Sequence, residues 1–442
     1  MITAMINILS KIFTGRLAII RLLMLTSAIL LFLMGLAMIY AAGNPARSEQ
    51  QADPNQAQQA VQDTYENKPD AQSPLAFVWK RQIIYAIAGI LAFLCVNLID
   101  YRRLGAVSYW LYAGVLILLT VLVLDIKFNF PFVPVVKGAR RWIRIGSFVQ
   151  IQPSEFCKIA YILALAWYLR FRSNYRTIRG LIGPFALTVL AMILILLEPD
   201  LGTVLLMMPI LFSMLFVAGA RVRHLLLVMA LAVLVSPLLW HFMEDYQRMR
   251  ISCVLLQNEK IFNIVKKNPR IAKVLVGDPD KLRTWKRNEG YQLIHSKQAI
   301  ASGGLTGYGF AKGPYNQYNY LPERHNDFVF AMVAHQWGLV GCGLVLVLYV
   351  VIFAGGLEIA YVNTDPFGRL AAVGIVAMFA VEVIVNISMT LGLTPITGLT
   401  LPFVSYGGSS LLGSFIALGL LNNIGRIRPF SVAGKPFEYA EQ

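Results

Sequence analysis

A chain of 442 residues that is 57% hydrophobic and only 14% charged is excluded from the soluble globular class, in which about a quarter of residues are charged. Its net charge of +16 does not mark a nucleic-acid binder: no basic globular domain carries it, and membrane proteins hold such charge in loops facing anionic lipid. The four cysteines supply neither a disulfide framework nor a CxxC metal pair; Cys95, Cys157 and Cys342 fall in apolar runs and Cys253 in a polar stretch, and all read as small core hydrophobes.

The apolar residues come in blocks of about 20, the length a helix needs to cross ~30 Å of hydrocarbon. In chain order they predict spans near 22–42, 83–99, 105–124, 154–170, 180–197, 201–219, 224–243, 328–355, 369–391 and 409–426. The first, behind Lys11, Arg16 and Arg21, looks like a signal peptide with Ala41-Ala42-Gly43 as a cleavage mimic, but it is longer than an h-region and is kept as a span. The expected fold is therefore an all-α, polytopic integral membrane protein of about ten transmembrane helices, one domain over 1–442. Arg102 and Arg103, then Arg170, Arg172, Arg176 and Arg179, then Arg221 and Arg223, lie in short loops on one side, and Arg426 and Arg428 join them. The positive-inside rule makes that side cytoplasmic, which puts both termini and the tail 427–442 there.

The opposite side then carries 43–78, polar and flexible by composition, the segments 125–153 and 392–408, and a large extracytoplasmic loop, 244–327. That loop holds 14 Lys/Arg against 8 Asp/Glu. Long loops translocate regardless of charge, so it reads either as a solvated face with amphipathic surface helices, such as Glu259 to Lys273, or as an electropositive basin for an anionic substrate.

Four polar clusters fall on that side. The first runs from Lys137 through Arg140, Arg141 and Trp142 to Gln152-Pro153-Ser154-Glu155 and Lys158; Ser154 is placed to N-cap a helix, and Glu155 and Lys158 form an i, i+3 pair that is either a boundary couple or a functional site. The second, Glu198-Pro199-Asp200-Leu201-Gly202-Thr203, is accounted for by turn chemistry alone. The third holds Gln292, Ser296 and Lys297, the glycine-rich run Ser302 to Gly309, a weak match to a phosphate cradle, and Leu321 to Phe328, in which Asp327 by spacing is an N-cap candidate. The fourth, Thr400 to Ser410, includes Ser405 and Ser409 and suits close approach of backbone to a ligand. Glu382, four residues before Asn386, is an intramembrane acid that is either bonded structure or function.

Gly138-Ala139-Arg140-Arg141-Trp142, Gln152-Pro153-Ser154-Glu155, Pro199-Asp200-Leu201-Gly202-Thr203, Leu321-Pro322-Glu323-Arg324-His325-Asn326-Asp327-Phe328 and Pro402 to Ser410, in this order among ten spans, closely resemble the SEDS (RodA/FtsW) family of bacterial cell-wall polymerases. The resemblance covers nearly the whole chain. It implies a glycosyltransferase of the cytoplasmic membrane that joins lipid II units, with Asp327 as its essential aspartate. It also implies a class B penicillin-binding protein as partner. A carboxylate that takes the proton from a sugar hydroxyl, and cations that hold the departing lipid diphosphate, suit this chemistry. The expected substrate-binding residues are Arg140, Arg141, Glu155, Lys158, Asp200, Lys297, Arg324, Ser405 and Ser409. The one cofactor left open is a divalent cation, Mg or Mn, and this chain reads Ala334-His335-Gln336-Trp337-Gly338 where family members commonly carry acids. Pro322-Glu323-Arg324-His325 leans to the elongation branch, Gly398 to Pro402 and Gly138 to Trp142 to the division branch; elongation is favoured. A lipid II flippase and a non-enzymatic scaffold are the competing readings.

Overall fold

The computed structural model describes residues 17–44, 77–136, 139–146, 149–172, 176–277, 282, 285–286, 290–318 and 320–426. Most of the expected flexible segment 43–78, the tail 427–442, Lys137 and Gly138 lie outside these. Ten long helices match the ten expected spans: α1 (Ala18–Gly43), α2 (Val78–Leu98), α3 (Tyr101–Phe128), α4 (Pro153–Leu169), α5 (Ile182–Leu197), α6 (Leu201–Ala218) and α7 (Val222–Phe242), then, after the large loop, α13 (Val329–Val362), α14 (Pro366–Thr390) and α15 (Gly408–Arg426). Eight of them are long and apolar enough to cross a membrane. The other two are α4, with 17 residues and a charged first turn, and α7, whose apolar part is Val222–Leu238.

Local chemistry sets the helix ends. Asp200 caps α6 by accepting from Thr203 N at 3.3 Å, Gly219 closes that helix in the left-handed region, and Asp365 caps α14 by accepting from Gly368 N. Ser154 is not a cap, contrary to expectation: α4 starts one residue earlier at Pro153, with Gln152 at the cap position. That frees the Ser154 hydroxyl for Asp200. α4, α14 and α15 are the buried centre of the bundle, whereas residues 229–238 of α7 are exposed on every side where described.

The large loop is mostly helical, with α8 (Asp245–Leu256), α9 (Glu259–Lys267), α10 (Pro269–Val276), α11 (Tyr291–Gly303) and the short α12 (Pro314–Gln317). The single helix expected over Glu259 to Lys273 is two, divided at Asn268 because Pro269 restricts the residue before it. A two-stranded antiparallel hairpin, β1 (Ile143–Ile145) with β2 (Val149–Ile151), leads into α4.

α13 is broken at Gly338, which has φ +62° and ψ −157°. The glycine-rich run fills the break: Tyr308 N and Gly309 N donate to His335 O and Gln336 O at 3.1 and 2.9 Å, and Leu339 N and Val340 N donate to Gly304 O and Leu305 O at 2.9 and 3.1 Å. The glycines thus cradle a helix break rather than a phosphate. A Cβ on Gly338 would stand 2.4 Å from Leu305 O in a backbone region open to glycine alone, so Gly338→Ala is expected to cost roughly 2–4 kcal/mol. A lowered thermal midpoint in detergent measures it.

Candidate active site

The non-arginine ends of the helices meet around a cavity of about 510 Å³. Its wall takes residues from each of the sequence clusters: Arg141, Trp142, Gln152 and Glu155; Asp200 and Thr203; Gln292, Glu323, Asn326 and Asp327; and Thr397 to Thr400 with Tyr406 to Ser410.

Asp327 sits just before α13. The helix begins at Val329 with Phe328 at its cap position, so the backbone does not adopt the N-cap arrangement for Asp327. Its Oδ2 faces the Gly398 backbone, 3.7 Å from where a Cβ on that glycine would stand. Three groups fix the aspartate's backbone. Asn386 Nδ2 donates to both Asp327 O (3.0 Å) and Leu399 O (2.7 Å). Ser405 Oγ donates to Asn326 O at 2.7 Å while accepting from Leu401 N at 2.8 Å, and Tyr406 N donates to His325 O at 2.9 Å. Gln82 of α2 completes the clamp by donating to Ser405 O at 3.1 Å. Ser405 therefore acts on the site from behind its wall.

Asp200 is surrounded by donors. Its Oδ2 accepts from Thr203 Oγ1, Ser154 Oγ and Gln152 Nε2 at 2.9, 3.1 and 3.2 Å. Gln152 N in turn donates to Ser409 Oγ at 2.9 Å, joining the start of α4 to the start of α15. Beside Asp200, Glu198 is buried, and neither carboxyl oxygen has a hydrogen-bond partner. Burial, reinforced by the Asp200 charge and opposed by Arg141, pushes its carboxyl from 4.5 up to about 9. The folded state therefore holds a proton that the unfolded chain releases, so this group's contribution to stability is complete below 4.5 and is lost as the pH rises towards about 9. Glu198→Gln is expected to raise the thermal midpoint at alkaline pH by several degrees and leave it unchanged at pH 4.5; parallel curves for the two proteins would contradict this.

The expected cations divide. Arg141 lines the cavity and is oriented by Glu198 O (2.9 Å to Nε) and Pro199 O. Arg140 pairs with the buried Asp125 at 2.7 Å and stays off the cavity wall. Lys158, 3% exposed, lies between Glu155 at 2.9 Å and Glu382 at 2.5 Å. Glu382 thus pairs with α4, not with Asn386 on its own helix. Arg324 donates to Tyr315 O, Asn316 O and Ala42 O at 3.0, 3.1 and 2.6 Å; burial lowers its guanidinium to about 10, still charged at neutral pH. Lys297 donates to Gln257 Oε1 at 3.0 Å. The wall also holds Arg250 of α8, for which the sequence offered no motif, and the aromatic rings of Tyr85, Trp142 and Tyr406. With Glu155, Asp200, Glu323 and Asp327 facing Arg141 and Arg250, the cavity is of mixed sign, not the basic basin that loop composition suggests. Among the described residues, no group of three or more His, Cys, Asp or Glu side chains is arranged to hold a metal ion.

The family model for FtsW, RodA and SpoVE, described as a cell cycle protein, matches residues 59–428. The peptidoglycan glycosyltransferase RodA of Treponema pallidum is 32% identical over 396 residues, spanning 78% of this chain and 88% of its own. The probable peptidoglycan glycosyltransferase FtsW of Geobacter metallireducens is 34% identical over 353 residues, spanning 78% and 84%. The solved rod shape determining protein RodA of Thermus thermophilus superposes with a TM-score of 0.59 at 26% identity over 92% of this chain and 97% of its own. A chain from a peptidoglycan synthase complex, described as coordinating polymerization and crosslinking, superposes with a TM-score of 0.67 at 27% identity over 91% and 96%. A multi-pass helical architecture, a cavity built from all five motif segments and matches of this extent place the chain in the FtsW/RodA/SpoVE family.

Proposed function

We propose that this protein is a peptidoglycan glycosyltransferase that polymerises lipid II into β-1,4 glycan strands at the outer face of the cytoplasmic membrane. The observation that carries the reading is the Asp327 carboxylate, borne on a clamped stretch of main chain, on the wall of a polar cavity shared with Arg141 and Arg250. The arginine-rich loops stand at the opposite helix ends, which supports an outward-facing cavity and cytoplasmic termini.

In this mechanism Asp327 accepts the proton of the acceptor GlcNAc 4-hydroxyl as its oxygen bonds to the MurNAc anomeric carbon of a second molecule. The bond from that carbon to the diphosphate breaks, its electrons leave on the undecaprenyl diphosphate, and an α-linked donor gives a β bond by inversion. Arg141 and Arg250 stabilise the departing anion through charge-assisted hydrogen bonds. Tyr85, Trp142 and Tyr406 offer flat apolar faces for sugar rings.

Elongation is the proposed setting, on the Pro322-Glu323-Arg324-His325 signature, and a class B penicillin-binding protein the proposed partner. The flippase reading needs a polar path through the membrane; here the polar wall gives way to the enclosed Glu155, Lys158 and Glu382 cluster. Purified protein incubated with lipid II, with and without its transpeptidase partner, is expected to yield long glycan strands. Transfer of lipid II between leaflets without strand formation would overturn the assignment.

A further inference from the structure

The basic part of the large loop has no role in the chemistry above, yet it is folded in a specific way. Val265 of α9 and Ala272 and Val276 of α10 are buried against Met249, Cys253 and Leu256 of α8 in a satellite core. On their other faces Ile264, Ile271 and Val274 are 54%, 41% and 60% exposed. Around them stand the exposed Lys260, Lys266, Lys267, Arg270 and Lys273, with Glu259 the sole acid in the two helices. Apolar side chains ringed by cations on a short helical pair are suited to lying in the plane of a membrane surface.

The height of this pair supports that occupant. Trp240, in the last turns of α7, donates its indole N–H to Val274 O at 2.9 Å. Tryptophan at the end of a spanning helix marks the boundary between headgroups and hydrocarbon, and Leu238, two residues earlier, is 60% exposed. α10 is thereby held where α7 leaves the bilayer. α10 is also tied to α8, since Ser252 Oγ donates to Leu275 O at 2.6 Å, and Ser252 lies two residues from Arg250 on the cavity wall.

We propose that α9 and α10 form a foot on the membrane surface that binds anionic phospholipid in the leaflet on the cavity's side, with Ile264, Ile271 and Val274 set between the lipids and the five cations among their headgroups. Through α8 the foot fixes the position of Arg250. That second consequence rests on the glycosyltransferase reading; the anchoring does not.

The test uses the full-length protein with Cys95→Ala, the other cysteines being buried, and a nitroxide placed through Ile264→Cys or Val274→Cys. In vesicles of mixed phosphatidylglycerol and phosphatidylcholine the label is expected to collide with dissolved oxygen and be shielded from an aqueous nickel chelate. In pure phosphatidylcholine, or with K266E/K267E/R270E/K273E, exposure to the chelate is expected to rise several-fold. Equal exposure in both vesicle types overturns the lipid anchor, as does equal shielding in lipid-free detergent, which would mean that protein covers the face. Lipid II polymerisation in the mixed vesicles is expected to fall several-fold in the charge-reversed variant. Loss of anchoring with unchanged polymerisation overturns the link to Arg250 and leaves the anchor standing.

Discussion

Asp327→Asn is expected to reduce lipid II polymerisation by about 10²–10⁴-fold, the contribution of a positioned general base. The substitution keeps the size and planarity of the side chain, and the hydrogen bonds that clamp this segment use the main-chain oxygens of Asp327, Asn326 and His325, so they survive. What is lost is an oxygen basic enough to take the hydroxyl proton. Gel analysis of glycan strands, together with a wild-type thermal transition in detergent, measures the effect. A variant that polymerises at the wild-type rate would remove Asp327 from the chemistry.

The largest effect on stability is expected from Lys158→Met. The Lys158 ammonium, 2.9 Å from Glu155 and 2.5 Å from Glu382, joins α4 to α14 inside the helical bundle. Removing it leaves two carboxyls buried without their counter-charge, at a cost of roughly 3–5 kcal/mol. Adding Glu382→Gln to this variant removes one of the stranded acids, so the double variant is expected to melt above the single one, a coupling read from the four thermal midpoints. Additive losses would show that the three groups do not act together.

The helices were legible because hydrophobic runs of spanning length are the strongest signal a sequence carries, and each expected span has its helix. The three-residue strands that follow Arg141 and Trp142 were not, since they are too short for alternation to register. The break at Gly338 was equally hidden: the glycine is visible, but the backbone that enters the break comes from residues 304–309. At the site, the motif residues Arg141, Glu155, Asp200, Ser409 and Asp327 line one cavity. Arg140, Lys158, Lys297, Arg324 and Ser405 instead bond to protein groups around it. Charge type can be read from a sequence, but whether a guanidinium faces a ligand or a carbonyl depends on neighbours distant in the chain. Arg324 meets Ala42 from 282 positions away.

The bonds from Gln82 to Ser405 and from Gln152 to Ser409 span 323 and 257 residues. The groups that hold the Asp327 segment lie closer, Asn386 59 residues beyond Asp327 and Ser405 79 residues beyond Asn326, so during synthesis the aspartate still emerges before them. A chain that ended short of Asn386 and Ser405 would carry the Asp327 carboxylate without the amide and hydroxyl that hold its segment.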